Sequence, residues 1–236
     1  MITRLLYVAA FLGAAAIGVT LWAWGQPLVS ASGQIRLWVN SIWSGENSQQ
    51  IADWYTLSHV IHGMLVALAG CALGARTGFP LALGLAVATG VGWEIGEHTT
   101  WVLDRFRGET IYQGYRGDTV LNAVCDYLFM LGGFALGASA RVRTSLLLIL
   151  GLEVASALVA RDSLTLTTIR VVHPVPAITA WQDAANPRTA PGRDPGAPLR
   201  PPPRGAFSGA GIPRILSLFA TIWGGIRPRA GKSMAP

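Results

Sequence analysis

Residues 5–24 run for twenty positions without a charged side chain. That single stretch constrains the fold more than any other feature. An apolar helix needs about 20 residues to cross the hydrocarbon core of a bilayer. Within lipid, the backbone must satisfy its own hydrogen bonds, and a helix does so locally. A secretory signal has a shorter apolar run followed by small residues at a cleavage site. Here the run ends in Leu21, Trp22, Ala23 and Trp24. This reads as an uncleaved anchor whose tryptophans sit at the membrane interface.

Four more apolar runs follow, at roughly 56–74, 79–99, 119–138 and 144–160. The expected fold is all-α: a multi-pass transmembrane bundle of about five spans, held within residues 1–182. Arg76, Thr77, Gly78 and Pro80 read as a tight turn between two spans. Arg141, Val142 and Arg143 join the last two. Residues 25–54 are polar and read as a loop, with a short interfacial helix expected around 35–42. Residues 101–117 read as a charged loop. In 161–182, Arg170, His173, Pro174 and Pro176 argue against a sixth span. Residues 183–236 are rich in Pro, Gly and Arg, a composition expected to be disordered. Within them, 213–226 is apolar but too short to span, and suits the membrane surface.

Composition agrees with a bilayer solvent. Only 13% of residues are charged, against about 25% in soluble domains. The net charge of +6 belongs to the tail. Residues 183–236 hold seven Arg, one Lys and two Asp, whereas 1–182 hold ten basic and ten acidic side chains. The helical part therefore has no basic footprint for nucleic acid, and its expected partner is the lipid bilayer. Cys71 and Cys125 fall inside apolar runs near opposite faces, where they read as small core residues and not as a disulfide.

Lys and Arg in short loops set orientation. Arg4, Arg76, Arg141 and Arg143 flank one side with no acid beside them. That side is expected to be cytoplasmic, together with the N-terminus, in a bacterial inner membrane.

The ionisable residues gather at the other side. Charges in membrane helices usually have a partner or a task. His59 and His62 start the second span. Glu94, Glu97 and His98 end the third. Asp118, Asn122 and Asp126 start the fourth, and Arg161 with Asp162 closes the fifth. The i,i+3 and i,i+4 spacings put each set on one helix face. At the helical rise these groups reach roughly 10 Å into the bilayer from its outer edge. They predict a polar pocket open to the outside. Glu153 stands apart, near the middle of the last span, and must find a proton or a partner.

Several chemistries fit such a pocket. His59 and His62 with nearby carboxylates could hold a divalent metal. Glu94 or Asp118 could act as acid or base on a polar lipid or envelope precursor, with Glu97, Asn122 and Asp126 contacting it. Arg105 and Arg107 could hold an anionic head group. The alternative is a structural or assembly factor in which the same residues form a satisfied network. A third is an ion or proton transporter, which would depend on Glu153. Trp93, Trp101, Tyr112 and Tyr115 read as an interfacial aromatic belt. Gly132, Gly133 and Gly137 read as sites of close helix packing.

Three separated stretches also carry a family resemblance. ENSQQIADWYTLSHVIHG (46–63), WEIGEHTTWVLDRFRGETIYQGYRGDTVLNAVCD (93–126) and RDSLTLTTIRVVHPVPAITAWQ (161–182) resemble, in order, the UPF0314 or DUF2585 family of bacterial membrane proteins. The resemblance implies a multi-pass inner-membrane protein and names no reaction. His98 stands where that family pattern has Asn, Gln50 where it has His, and Ser163 and Thr167 where it has Asn. At the level of architecture alone, the order His59 or His62, Glu94 and Glu97, Arg105 and Arg107, then Asp118, Asn122 and Gly132 resembles VanZ-like membrane proteins. That likeness would imply a role at the cell envelope.

Overall fold

A computed structural model describes residues 2–73, 78–109 and 115–186. Among these, the regular elements are eight helices: α1 (Ile2–Ala23), α2 (Thr56–Leu73), α3 (Gly78–Glu97), α4 (Thr100–Glu109), α5 (Val120–Ser139), α6 (Val142–Ala160), α7 (Leu164–Val172) and α8 (Pro176–Asp183). The chain is all-α and forms a membrane helical bundle. Three helices are long and apolar enough to cross a membrane: 79–97 within α3, α5 and α6. Tyr7–Ala23 and Thr56–Gly70 are shorter apolar helices. The turn expected at Arg76 and Thr77, part of the 101–117 loop, Tyr112 and the tail from 187 onward lie outside the described residues.

The centre of the bundle is the contact between α2 and α5. A Cβ on Gly63 would come within 1.9 Å of the Met130 carbonyl oxygen, and one on Gly133 within 2.1 Å of the Val60 carbonyl oxygen. Gly137 would meet Met64 at 3.0 Å. Without side chains at these positions, the two backbones touch. Around that seam lies a core of Ile17, Leu21, Ala86, Tyr127, Met130 and Phe134. Tyr127 is wholly buried and donates to the Ala10 carbonyl at 3.1 Å, tying α1 to α5.

Three expectations need correcting. Residues 35–42 form no helix. Instead Val39 pairs with Asp53 in an isolated parallel bridge, and Val39 N–H donates to the Ala52 carbonyl. The segment read as a charged loop opens with the helix α4. Residues 161–182 are also more ordered than their mixed composition suggested. Arg161 takes a left-handed conformation with φ 58°, the chain reverses, and α7 and α8 follow. Ser163 caps α7 by accepting from Leu166 N–H. The same hydroxyl donates to Glu153 Oε2 at 2.9 Å, and Thr165 N–H reaches that oxygen at 3.1 Å. Glu153 Oε2 thus meets the α7 N-terminus folded back beside α6, where a carboxylate is favoured, while its Oε1 has no partner.

The α2–α5 seam makes a direct prediction. Gly133→Leu or Gly63→Leu should collapse the monodisperse fraction in size-exclusion chromatography, since overpacking costs about 1–3 kcal/mol or more. Gly92→Ala and Gly151→Ala, whose added Cβ atoms meet nothing within 4 Å, should behave as wild type.

Candidate functional site

The site grows from the starts of α2 and α5 and the end of α3. Asp53 sets the start of α2: Tyr55 N–H donates to its Oδ1 at 2.8 Å and Ser48 N–H to its Oδ2 at 2.6 Å. The Asp53 N–H in turn reaches the Thr56 hydroxyl at 3.0 Å. That hydroxyl donates across the seam to Asp126 Oδ1 at 2.8 Å. One turn further, the His59 ring stands between two carboxyl groups. Its Nδ1 lies 3.2 Å from Glu94 Oε1 and its Nε2 3.7 Å from Asp126 Oδ2. All three residues are buried. Glu94 Oε2 has no hydrogen-bond partner.

His98 has a different role. Its Nδ1 lies 2.7 Å from the Glu94 carbonyl, which can only accept. Its Nε2 receives the Asp118 N–H at 2.9 Å, which can only donate. The partners fix the neutral Nδ1–H tautomer. An Asn side chain offers the same pairing of one donor and one acceptor. Glu97, His98 and Asp118 are grouped closely enough to surround a cation, with candidate ligand atoms within 4.8 Å of one another. Both His98 nitrogens are already engaged, however, so a metal there would have to break a backbone hydrogen bond.

A cavity of about 440 Å³ opens beside these residues. Its polar side carries His59, Glu97, Tyr115, Asp118 and Asp126. Its apolar side carries Leu65, Trp93, Phe106, Leu164, Val171 and Val172. The α7 contribution was missed by sequence reading, although Leu164, Thr167, Thr168 and Val171 follow i, i+3, i+4, i+7 spacing. Tyr115 was read as an interface aromatic, yet it donates to Asp118 Oδ1 at 2.8 Å. Burial and the Asp118 charge hold its phenol well above the usual range, so it remains a donor.

The other expected site residues divide. His62 lines the cavity in a T-shaped contact with Trp93, centroids 6.2 Å apart. It does not join His59 in any metal-sized cluster among the described residues. Asn122 belongs to the scaffold: its amide donates to the Gln50 carbonyl at 2.8 Å and sews the 48–50 segment onto α5. Arg105 and Arg107 do not line the cavity among the described residues. Arg105 donates to the Val171 carbonyl at 2.6 Å, and Arg107 to the Tyr115 carbonyl at 2.8 Å. They clasp α4 to α7 and to the stretch of chain before α5. Of the positions that depart from the family pattern, Gln50 donates to Glu46 and accepts from Arg36 N–H at 2.7 Å. Thr167 donates to Asp162 at 3.0 Å.

Helices of this kind, enclosing a buried acid–histidine cluster at one end, define a membrane protein with a ligand-sized cavity. Residues 21–184 match the family model described as "Protein of unknown function (DUF2585)". The UPF0314 protein of Novosphingobium aromaticivorans is 40% identical over 180 residues, covering 74% of this chain and 91% of that one. The UPF0314 protein of Paracoccus denitrificans is 38% identical over 164 residues, covering 70% and 84%. That of Sinorhizobium fredii is 38% identical over 180 residues, covering 75% and 90%. The chain belongs to the UPF0314 (DUF2585) family. No solved structure matches it.

Two predictions follow from this geometry. His98→Leu orphans the Asp118 N–H and the Glu94 carbonyl, a loss of about 1–3 kcal/mol. His98→Asn should keep more of the wild-type melting temperature, as read by fluorescence-detected thermal unfolding. Asp162 offers a pH test. Burial pushes its carboxyl up to about 6, against hydrogen bonds from Thr167 and Tyr55 that pull it down. The folded chain then binds this proton more tightly than the unfolded one. Its contribution to stability should therefore fall as pH rises from about 4, the unfolded value, toward 6. Asp162→Asn should flatten that part of the melting-temperature profile.

Proposed function

We propose that the protein is a five-span inner-membrane protein, N-terminus cytoplasmic, whose outward-facing cavity binds and can modify a polar lipid or envelope precursor. Arg4, Arg141 and Arg143 lie at the bundle end opposite the acid–histidine cluster, which supports this orientation under the positive-inside rule. The observation that carries the reading is the cavity itself. One side is apolar, and the other holds buried ionisable groups. An amphiphile matches both sides at once.

Acid–base capacity comes from His59. A neutral imidazole has one N–H, whereas two carboxyl groups face its two nitrogens. A proton therefore has alternative positions among Glu94, His59 and Asp126. Asp126 and His59 both line the cavity, so a proton held there can be delivered to a bound molecule. Glu97 and Asp118 stand beside them as binding or acid–base groups.

A lipid and envelope-precursor profile of a deletion strain tests the proposal. The strain is complemented with wild type, Glu94→Gln or Asp118→Asn, with membrane levels matched. One amphiphilic species should accumulate in the deletion and in both variants, and disappear with wild type. A profile that changes only when the protein is missing from the membrane would support an assembly role instead.

A further inference from the structure

The hydrogen-bonding inventory of the cavity narrows what its polar end can hold. About half of the donors on its wall are already engaged. Tyr115 donates to Asp118, and Tyr55 to Asp162. Thr167 donates to Asp162, and Thr168 to the Leu164 carbonyl. Both His59 nitrogens face carboxyl groups. Ser48, Ser58, His62, Trp93 and the second N–H of the Asn47 amide can still donate, which suits a neutral oxygen but not a full negative charge beside four buried acids.

Acceptors are in surplus. Glu94, Glu97, Asp118 and Asp126 are 1%, 7%, 4% and 3% exposed, and three of them line the cavity. Asn47 is 2% exposed and also lines it, with its Oδ1 unpartnered. No lysine or arginine lines the cavity among the described residues. The aromatic rings of Trp93, Phe106 and Tyr115 stand around the same space, and ring faces attract cations. Buried acids call for a positive partner, since the low local dielectric strengthens both attraction and repulsion.

We infer that the polar end of the ligand is a primary amine or ammonium, held by Glu97 and Asp118, with its apolar part along Leu65, Phe106 and Val171. Amine-bearing lipids and amine-bearing envelope precursors share this chemistry. The inference rests on the amphiphile reading above and fixes the sign of the head group. It assigns Arg105 and Arg107 to holding the cavity wall.

The test uses the full chain in detergent or nanodiscs and follows tryptophan fluorescence, because Trp93 lines the cavity. The probes share a twelve-carbon tail: dodecylamine, dodecanol and dodecyl phosphate. A bulky variant, Thr168→Phe, which adds no tryptophan signal, blocks the site and corrects for partitioning into the lipid. Dodecylamine should bind most tightly and dodecyl phosphate most weakly. Glu97→Gln, isosteric and checked for monodispersity, should weaken the amine by about tenfold or more, as expected for loss of a charge-assisted hydrogen bond, and leave dodecanol unchanged. If Glu97→Gln does not fold, Asp118→Asn carries the same comparison. Should both fail, dodecylamine and dodecanol compared on the wild type alone still decide the order. Equal binding of amine and alcohol, or preference for the phosphate, overturns the amine inference and leaves the amphiphile site standing. If no probe binds in a manner sensitive to Thr168→Phe, the amphiphile site itself is refuted. With the order amine first established, phosphatidylethanolamine and an amine-bearing peptidoglycan precursor, offered in turn as competitors, separate the two sources.

Discussion

The touching backbones of α2 and α5 are the constraint on which the site depends. Gly63 lies against Met130, and Gly133 against Val60. The two helices begin at the same end, so the contact repeats in register toward their starts. One turn back from Gly63 is His59, and one turn back from Met130 is Asp126. The seam that needs glycine for packing thereby sets an imidazole opposite a carboxyl group. Thr56, a further turn toward the end, reaches the same Asp126. A side chain at Gly63 or Gly133 would spread the helices and pull these partners apart together.

The second layer is a clasp. α4 and α7 are short and lie at the bundle end, where they complete the cavity wall with Phe106, Leu164 and Val171. Little apolar burial holds them there, so hydrogen bonds contribute much of the fixing. Arg105 reaches the last turn of α7, where carbonyls lack helical partners and a cation is favoured. Arg107 does the same for the Tyr115 carbonyl. Arg170 extends the arrangement by donating to Asp183 at 3.0 Å, which ties α7 to α8. A guanidinium suits this work because its planar fork can reach several acceptors from a fixed position.

The sequence carried the bundle and half the site in readable form. Apolar runs located the long helices to within a few residues, because bilayer length is a strict constraint. Helical spacing placed His59, Glu94, Glu97, Asp118 and Asp126 at one end, and they do converge. Sequence reasoning failed where tertiary contacts override local composition. α4 carries charge enough to read as a loop, yet Leu103 is buried beneath it. α7 begins after a reversal at Arg161, and a positive φ at an arginine has no sequence signal. The arginines show a related limit. Arg107 does pair with a nearby acid, Asp104 at 3.2 Å, but Arg105 and Arg107 also donate to backbone carbonyls that composition does not reveal. His98 shows the limit most clearly, since its tautomer is set by an N–H twenty residues away in the chain.

Position along the membrane normal explains why so many acids can be tolerated. A carboxylate at the middle of a bilayer is expensive, whereas one near the interface can exchange protons with water and meet polar head groups. Here the cluster lies within the last turns of α3 and the first turns of α2 and α5. The one acid deeper on α6, Glu153, is met by the N-terminus of α7, which brings backbone N–H groups to its level. Both solutions leave an oxygen over. Glu153 Oε2 accepts from Ser163 and Thr165 and stabilises a reversal of the chain, while its Oε1 is buried without a partner. In the cluster, Glu94 Oε2 and Asn47 Oδ1 lack partners although buried, and Asn47 lines the cavity. Buried acceptors left in that state favour a donor from outside the chain. A molecule entering along the interface, with its tail in the lipid and its head toward the acids, could supply one.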